Sequence, residues 1–136
     1  MIPAAFDYVR ADSAEAALAA LAQHGDEAKL LAGGHSLIPL MRFRLATPSV
    51  LIDVGQLNGD LRGITVADDE VRIGALTRHS ELEHSTELAE ACPMLAHVAS
   101  LVGDPSVRHR GTLGGSLAHA DPASDLPAAV LALDGT

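Results

Sequence analysis

Residues 29–36 read Lys-Leu-Leu-Ala-Gly-Gly-His-Ser and run into Leu-Ile-Pro-Leu-Met-Arg-Phe-Arg at 37–44. The hydrophobic run Lys29–Ala32 predicts a short buried strand that leads directly into Gly33-Gly34. Ser36 can then cap a short helix over residues 37–44. Glycines between a strand and a helix allow close approach to the backbone, and N–H groups at a helix start bind anions.

A second pair of glycines stands in Thr-Leu-Gly-Gly-Ser at 112–116. Neither stretch spells G-x-G-x-x-G, the usual dinucleotide fingerprint, or the G-x-x-x-x-G-K of nucleoside triphosphate sites. Two interpretations are open. Each pair forms a tight turn, or the two loops together hold one pyrophosphate.

The residues around the first pair predict a small parallel αβ subdomain over 1–54. Asp12 and Glu15 have the spacing of a capping box, and Gly25 follows the expected helix end. One apolar face of this helix is predicted at Ala14, Ala17, Leu18 and Leu21. A second buried strand is expected at Val50–Val54, so the order of elements is αβαβ.

The pattern changes over residues 55–136 to an α+β subdomain with antiparallel strands. Leu61–Val66 and Glu70–Leu76 flank a hairpin turn. Thr77 can cap a polar helix that extends through Glu83. Another helix is predicted between Pro93 and Gly103, and little regular structure over 104–124. Asp125 can cap a last helix, Leu126–Leu133.

Composition excludes several classes of function. The net charge of −9 argues against binding a nucleic acid backbone. The single cysteine, Cys92, forms no internal disulfide or thiolate cluster, and the seven histidines lack the paired spacing of a metal site. With no secretory signal and no apolar stretch near 20 residues, we expect a cytoplasmic protein without a membrane span.

Two long motifs carry a resemblance to a known family. Residues 29–44 resemble the first flavin motif, and Arg108–Asp125 the second, of the FAD-binding medium subunits of molybdenum hydroxylases. The likeness is greatest to the medium subunit of aerobic carbon monoxide dehydrogenase, within the xanthine dehydrogenase family. The opening residues 2–8 also fit. The resemblance implies an α+β, PCMH-type FAD-binding domain over 1–136.

In that family the pyrophosphate of noncovalently bound FAD lies between the two double-glycine loops. The resemblance therefore implies cofactor contacts in the first motif from Lys29, Leu30, Leu31, Ala32, Gly33, Gly34, His35, Ser36 and Leu37. In the second motif it implies contacts from Thr112, Gly114, Gly115, Ser116, His119 and Asp125. Many relatives have asparagine where this chain has Ser116, so that contact loses an amide donor.

The resemblance also implies a place in an oxidoreductase complex. Substrate is oxidised at a molybdenum cofactor on a large subunit, and electrons cross the [2Fe–2S] clusters of a small subunit to FAD and an acceptor. No catalytic residue and no metal ligand is expected on this chain. Relatives continue beyond residue 136 with more antiparallel sheet and a C-terminal domain, so we expect an incomplete second subdomain that is inactive alone.

Two alternatives stay open at this point. Flavoprotein oxidases of the same superfamily attach FAD covalently to a histidine in a Gly-Gly-His-Ser loop, which would give His35 that role. The chain could instead be a truncated nucleotide-binding module without turnover. Asp104 and Asp121 are interpreted as loop and cap residues rather than as acid–base groups.

Overall fold

A parallel sheet organises the first of the two units into which the chain divides, residues 1–57 and 58–136. The structure is a computed structural model that describes residues 1–136 apart from the side chain of Asp60. Three strands, β1 (Asp7–Arg10), β2 (Ala28–Leu31) and β3 (Val50–Asp53), pair in the order β1-β3-β2. The central strand β3 contributes the buried residues Val50, Leu51 and Ile52 because it has a neighbour on each side.

Helices α1 (Ala14–His24) and α2 (Leu37–Arg42) follow β1 and β2. The first is capped by Ser13, whose hydroxyl accepts from the N–H of Ala16 at 3.0 Å, and not by Asp12 as the sequence predicts. Gly25 ends α1 with φ 55°, as predicted. The predicted apolar face is only partly buried, since Leu18 is 66% exposed.

Strands β1 and β2 differ from the sequence prediction for the same reason. Both lie at edges of the sheet, and neither has a second neighbouring strand among the residues that the structure describes. The prediction of a buried strand at 29–32 is therefore wrong for Lys29 and Leu30, which are exposed. Strand β1 is absent from the prediction, because its residues are exposed and give no buried hydrophobic run. The element order is βαβαβ.

Among its described residues, the second unit combines a hairpin with six α-helices and a short 3-10 helix at Gly59–Leu61. Strands β4 (Ile64–Ala67) and β5 (Glu70–Ile73) pair antiparallel, with Ile64 opposite Ile73. The helices are α3 (His79–His84), α4 (Thr86–Ala91), α5 (Pro93–Leu101), α6 (Pro105–Arg108), α7 (Leu113–His119) and α8 (Asp125–Ala132). The predicted α+β class, with a parallel sheet followed by an antiparallel one, is confirmed.

The core of this unit is built by one face of several helices. Its buried members are Leu82, Leu88, Leu95, Ala96, Ala99, Leu113, Leu126 and Ala129. The hairpin covers this cluster through the partly buried Ile64, Val71 and Ile73. No helix in the described part of the chain is long and apolar enough to cross a membrane.

Three predictions for this unit are wrong in detail. Thr77 does not cap α3, because its buried hydroxyl accepts from the N–H of Gly63 (2.9 Å) and donates to the carbonyl of Gly63 (3.0 Å). Instead the Glu81 carboxylate accepts the N–H of Arg78, the residue that precedes the helix, at 2.8 Å. Segment 104–124 contains α6 and α7, which are too short to show a helical period. The cap position of α8 is Ser124, one residue before Asp125.

Candidate functional site

The first glycine motif leaves the sheet at the end of β2. The N–H of Val54, the residue after β3, donates to the carbonyl of Leu31 at 3.0 Å and attaches the end of β2 to the sheet. Gly34 then has φ 76°, a conformation that side chains with a Cβ rarely adopt. The N–H of Ile38 donates to the carbonyl of Gly34 at 2.9 Å and turns the chain into α2.

The N–H groups of this loop are the distinctive feature of the first motif. Within the described part of the chain, none of the N–H groups from Gly33 to Leu37 donates to a protein acceptor. Ser36 is at the cap position of α2, as predicted, but its side chain makes no capping bond. Unpaired backbone donors that face water are available to a ligand, and consecutive ones favour an anion.

The predicted contact residues of this motif differ in their exposure. The side chains of Lys29, Leu30, His35 and Ser36 are exposed, whereas Leu31, Ala32, Gly33, Gly34 and Leu37 are half-buried. The ring of His35 lies with Nδ1 3.3 Å from the carbonyl oxygen of Gly33. The backbone donors and the exposed side chains of His35 and Ser36 therefore occupy one stretch of five residues, 33–37.

The second glycine motif uses its N–H groups internally. Thr112 is buried and caps α7 by accepting from the N–H of Gly115 at 3.2 Å. The N–H of Leu113 donates to the carbonyl of Thr77 (2.9 Å), and that of Gly114 to the carbonyl of Ala75 (2.8 Å). The N–H of Ser116 donates to the carbonyl of Thr112 (3.0 Å). The two motifs look alike in sequence but differ in the donors they offer.

The two glycines of the second pair have different surroundings. A Cβ at Gly114 would lie 2.7 Å from the carbonyl oxygen and 2.9 Å from the Cα of Ala75, so a side chain at this position forces the backbone to shift. A Cβ at Gly115 would meet only the Thr112 hydroxyl, at 2.7 Å. Gly114 is thus required for packing, while Gly115 is exposed and presents its backbone to solvent.

Segment 75–79 supports the second motif, a contact that the sequence does not predict. Besides the two carbonyl acceptors above, the N–H of His79 donates to the carbonyl of Gly111 at 3.0 Å. A bridge pairs Arg78 with Thr112, and the Arg78 guanidinium donates to the carbonyl of His109 at 2.6 Å. These contacts span about 30 residues of sequence, and no local pattern indicates them.

Charged groups hold the chain that leads into this motif. The Arg108 guanidinium donates to Glu83 at 2.7 Å and to the carbonyl of Val102 at 3.1 Å, and both side chains of the ion pair are mostly buried. Asp104 caps α6 with Oδ1. Hydrogen bonds from the Ser106 hydroxyl, and then from the N–H of Val107, hold the pKa of Asp104 below its usual value.

The remaining predicted residues lie after the second glycine pair. His119 is exposed at the end of α7, and Asp125 is exposed in the first turn of α8. No group of three or more His, Cys, Asp or Glu side chains that could hold a metal ion occurs among the described residues.

The comparison with known protein families decides the assignment. The family described as FAD binding domain in molybdopterin dehydrogenase matches residues 4–136. The chain belongs to this family. FAD is therefore the cofactor of the domain, and the unpaired N–H groups of Gly33–Leu37 fit its negatively charged pyrophosphate.

Curated relatives of this FAD-binding domain include subunits of dehydrogenases. It is 50% identical over 134 residues to the 6-hydroxypseudooxynicotine dehydrogenase complex subunit alpha of Paenarthrobacter nicotinovorans, with 98% of this chain and 45% of that protein covered. It is 46% identical to the carbon monoxide dehydrogenase medium chain of Hydrogenophaga pseudoflava, with 98% and 46% covered. The chain thus spans less than half the length of these relatives.

Solved structures give the same result. Carbon monoxide dehydrogenase from Hydrogenophaga pseudoflava, in a form that lacks the Mo-pyranopterin moiety of its cofactor, matches with a TM-score of 0.90 and 48% identity. That match covers 94% of this chain and 44% of the other. Quinoline 2-oxidoreductase from Pseudomonas putida 86 matches with a TM-score of 0.88 and 37% identity, covering 93% and 44%.

Proposed function

We propose that this chain binds FAD noncovalently as part of the medium subunit of a molybdenum hydroxylase resembling aerobic carbon monoxide dehydrogenase. The dehydrogenase subunits among its relatives support this role in an oxidoreductase complex. The proposed partners are a large subunit with the molybdenum cofactor and a small subunit with [2Fe–2S] clusters, all in the cytoplasm. When bound, FAD supplies the transfer of electrons from those clusters to an acceptor.

The run of unpaired N–H groups from Gly33 to Leu37 is the observation that carries the proposal. A protein with net charge −9 needs a local source of positive potential to hold a pyrophosphate. Backbone N–H groups supply this positive potential without a charged side chain. Gly33 and Gly34 are half-buried but have no side chains, so a ligand can approach their backbone. His35 and Ser36 add side-chain donors at the same place.

The second motif has a different part in this proposal. Since its N–H groups are already bonded, its contribution comes from the exposed Gly115, where the absence of a side chain lets a ligand approach, and from the hydroxyl of Ser116. His119 and the carboxylate of Asp125 are the further polar groups that the family resemblance assigns to the cofactor. We expect the first motif to supply most of the hydrogen bonds to the pyrophosphate.

Flavin binding by the chain is the direct test. Isothermal titration with FAD and with adenosine diphosphate measures both affinities, and acid precipitation then separates free from covalent flavin. We expect weak FAD binding, similar to that of adenosine diphosphate, and a yellow supernatant. Flavin that stays in the pellet would favour covalent attachment at His35. An absence of binding of either ligand would contradict the proposal.

A matched pair of variants tests the role of the first motif. Gly34→Asn adds a side chain at φ 76°, and Gly25→Asn does so at φ 55° at the end of α1, outside both motifs. Asparagine accepts the left-handed region better than most residues. Gly25 combines φ 55° with ψ −135°, which lies outside that region, so circular dichroism first establishes that both variants fold before their affinities are compared. We expect Gly34→Asn to weaken FAD binding by about tenfold or more, the equivalent of one or two lost hydrogen bonds, and Gly25→Asn to leave it unchanged. Equal affinities would reduce the first loop to an ordinary turn.

A further inference from the structure

His79 is a buried polar residue beneath the second glycine motif. Only 3% of its surface is exposed. Its ring occupies a slot that exists because residue 111 is glycine, since a Cβ there would lie 2.7 Å from Cε1 and 2.9 Å from Nδ1 of the imidazole. The motif therefore makes room for this ring.

Two backbone contacts fix where the ring lies. The N–H of His79 donates to the carbonyl of Gly111 at 3.0 Å, and the preceding Arg78 forms a bridge with Thr112. The side chain then extends to α7, where Nε2 lies 3.2 Å from the hydroxyl oxygen of Ser116. His79 is thus attached to the motif through both its main chain and its side chain.

Ser116 is turned toward this ring rather than toward its own helix. A serine within a helix commonly donates its hydroxyl to the carbonyl one turn earlier. Here the carbonyl of Thr112 accepts only the backbone N–H of Ser116, and the hydroxyl pairs with His79. The half-buried Ser116 has one hydroxyl proton, so the direction of that bond decides what it offers to a ligand.

We propose that His79 is a positioning residue that donates its Nε2–H to the hydroxyl oxygen of Ser116. The hydroxyl proton is then left to donate to a phosphate oxygen, which is only an acceptor. With the opposite direction, Ser116 would present lone pairs to an anion and repel it. This inference rests on the proposed function, because it takes the pyrophosphate of FAD as the ligand.

Three variants test the proposal by affinity for FAD and for adenosine diphosphate. His79→Gln keeps an N–H donor at about the reach of Nε2, whereas His79→Met has a similar length and no donor. Ser116→Ala removes the hydroxyl. A neutral hydrogen bond corresponds to about a fivefold change in affinity.

The expected pattern separates positioning from a merely structural role. We expect about fivefold weaker binding for His79→Met and for Ser116→Ala, and near-complete rescue in His79→Gln. The double variant that combines His79→Met with Ser116→Ala should show no further loss, because both changes remove the same hydrogen bond to the ligand. Equal losses in His79→Gln and His79→Met, or additive losses in the double variant, would overturn the proposal.

A second measurement needs no ligand. Long-range ¹H–¹⁵N NMR spectra of the wild-type chain report whether Nε2 of His79 carries a proton, and we expect that it does. An unprotonated Nε2 would overturn the proposal, even if FAD binds. A chain with protonated Nε2 that binds neither ligand would instead contradict the proposed function.

Discussion

Gly114→Ala and Gly115→Ala should have opposite outcomes, although the two residues are adjacent in one motif. At Gly114 the new Cβ must move about 0.7 Å to bring its distance from the Ala75 carbonyl oxygen from 2.7 Å to an ordinary 3.4 Å. That movement stretches the 2.8 Å hydrogen bond from the Gly114 N–H to the same oxygen. The backbone of Ala75 is on the other side of the contact, so no side-chain rotation relieves it.

The magnitude follows from three contributions. Overpacking costs about 1–3 kcal/mol, and the lost hydrogen bond costs about 1 kcal/mol. The higher helix propensity of alanine returns about 1 kcal/mol, which leaves a net destabilisation of about 1–3 kcal/mol for Gly114→Ala. At Gly115 the Cβ displaces only the Thr112 hydroxyl, so a lost cap of about 1 kcal/mol is balanced by the same gain in propensity.

Urea unfolding followed by circular dichroism measures the difference. With a slope of about 2 kcal/mol per M, a loss of about 2 kcal/mol lowers the midpoint by about 1 M. We expect this shift for Gly114→Ala and a midpoint within about 0.3 M of wild type for Gly115→Ala. If Gly114→Ala unfolds at the wild-type midpoint, or if Gly115→Ala is the less stable variant, the assignment of Gly114 to packing is wrong.

Three further perturbations test other parts of the second unit. Ala120 has φ 52° after α7, so Ala120→Gly should raise the free energy of unfolding by about 1 kcal/mol in the same urea assay. A double-mutant cycle of Glu83→Gln and Arg108→Met should give a coupling of about 1–3 kcal/mol, because this 2.7 Å pair is mostly buried, and additive effects would show that it contributes nothing. The hydrogen bond from Ser106 is the chief cause that lowers the pKa of Asp104 from its ordinary value near 3.8. The ionised carboxylate therefore contributes fully to stability above about pH 3.8, and this contribution is lost as the pH falls through the lowered pKa. Asp104→Asn should therefore make urea midpoints less dependent on pH between about pH 4 and 2, and an unchanged slope would exclude this cap from acid unfolding.

The sequence predicts best where local patterns decide the structure. The run Val50–Val54 is hydrophobic enough to define the central strand, and Ala67-Asp68-Asp69 is a clear turn between two short strands. The spacing of apolar residues after Pro93 defines α5. The family motifs added FAD as the cofactor, which composition alone does not indicate.

The errors have a common physical cause. Asp12 and Ser13 are both good capping residues, and the choice between them depends on backbone angles. Threonine is a common capping residue, but burial of Thr77 and its hydrogen bonds to Gly63, 14 residues away, determine its role. The two glycine pairs are alike in sequence, yet the N–H groups of Leu113 and Gly114 in the second motif donate to the carbonyls of Thr77 and Ala75, which are distant in sequence. Such pairings follow from tertiary structure and leave no signature near the residues concerned.

The different hydrogen bonding of the two motifs predicts how they diverge during evolution. Gly114 is required by its contact with Ala75, so selection for stability alone retains it, whether or not the protein uses a flavin. At Gly34 only the tip of the Ile38 side chain would lie within 3 Å of an added Cβ, and asparagine can replace this glycine at modest cost. A descendant that has lost FAD would therefore keep Gly114 and lose Gly34. Among distant homologues, the first pair is the better marker of a working cofactor site.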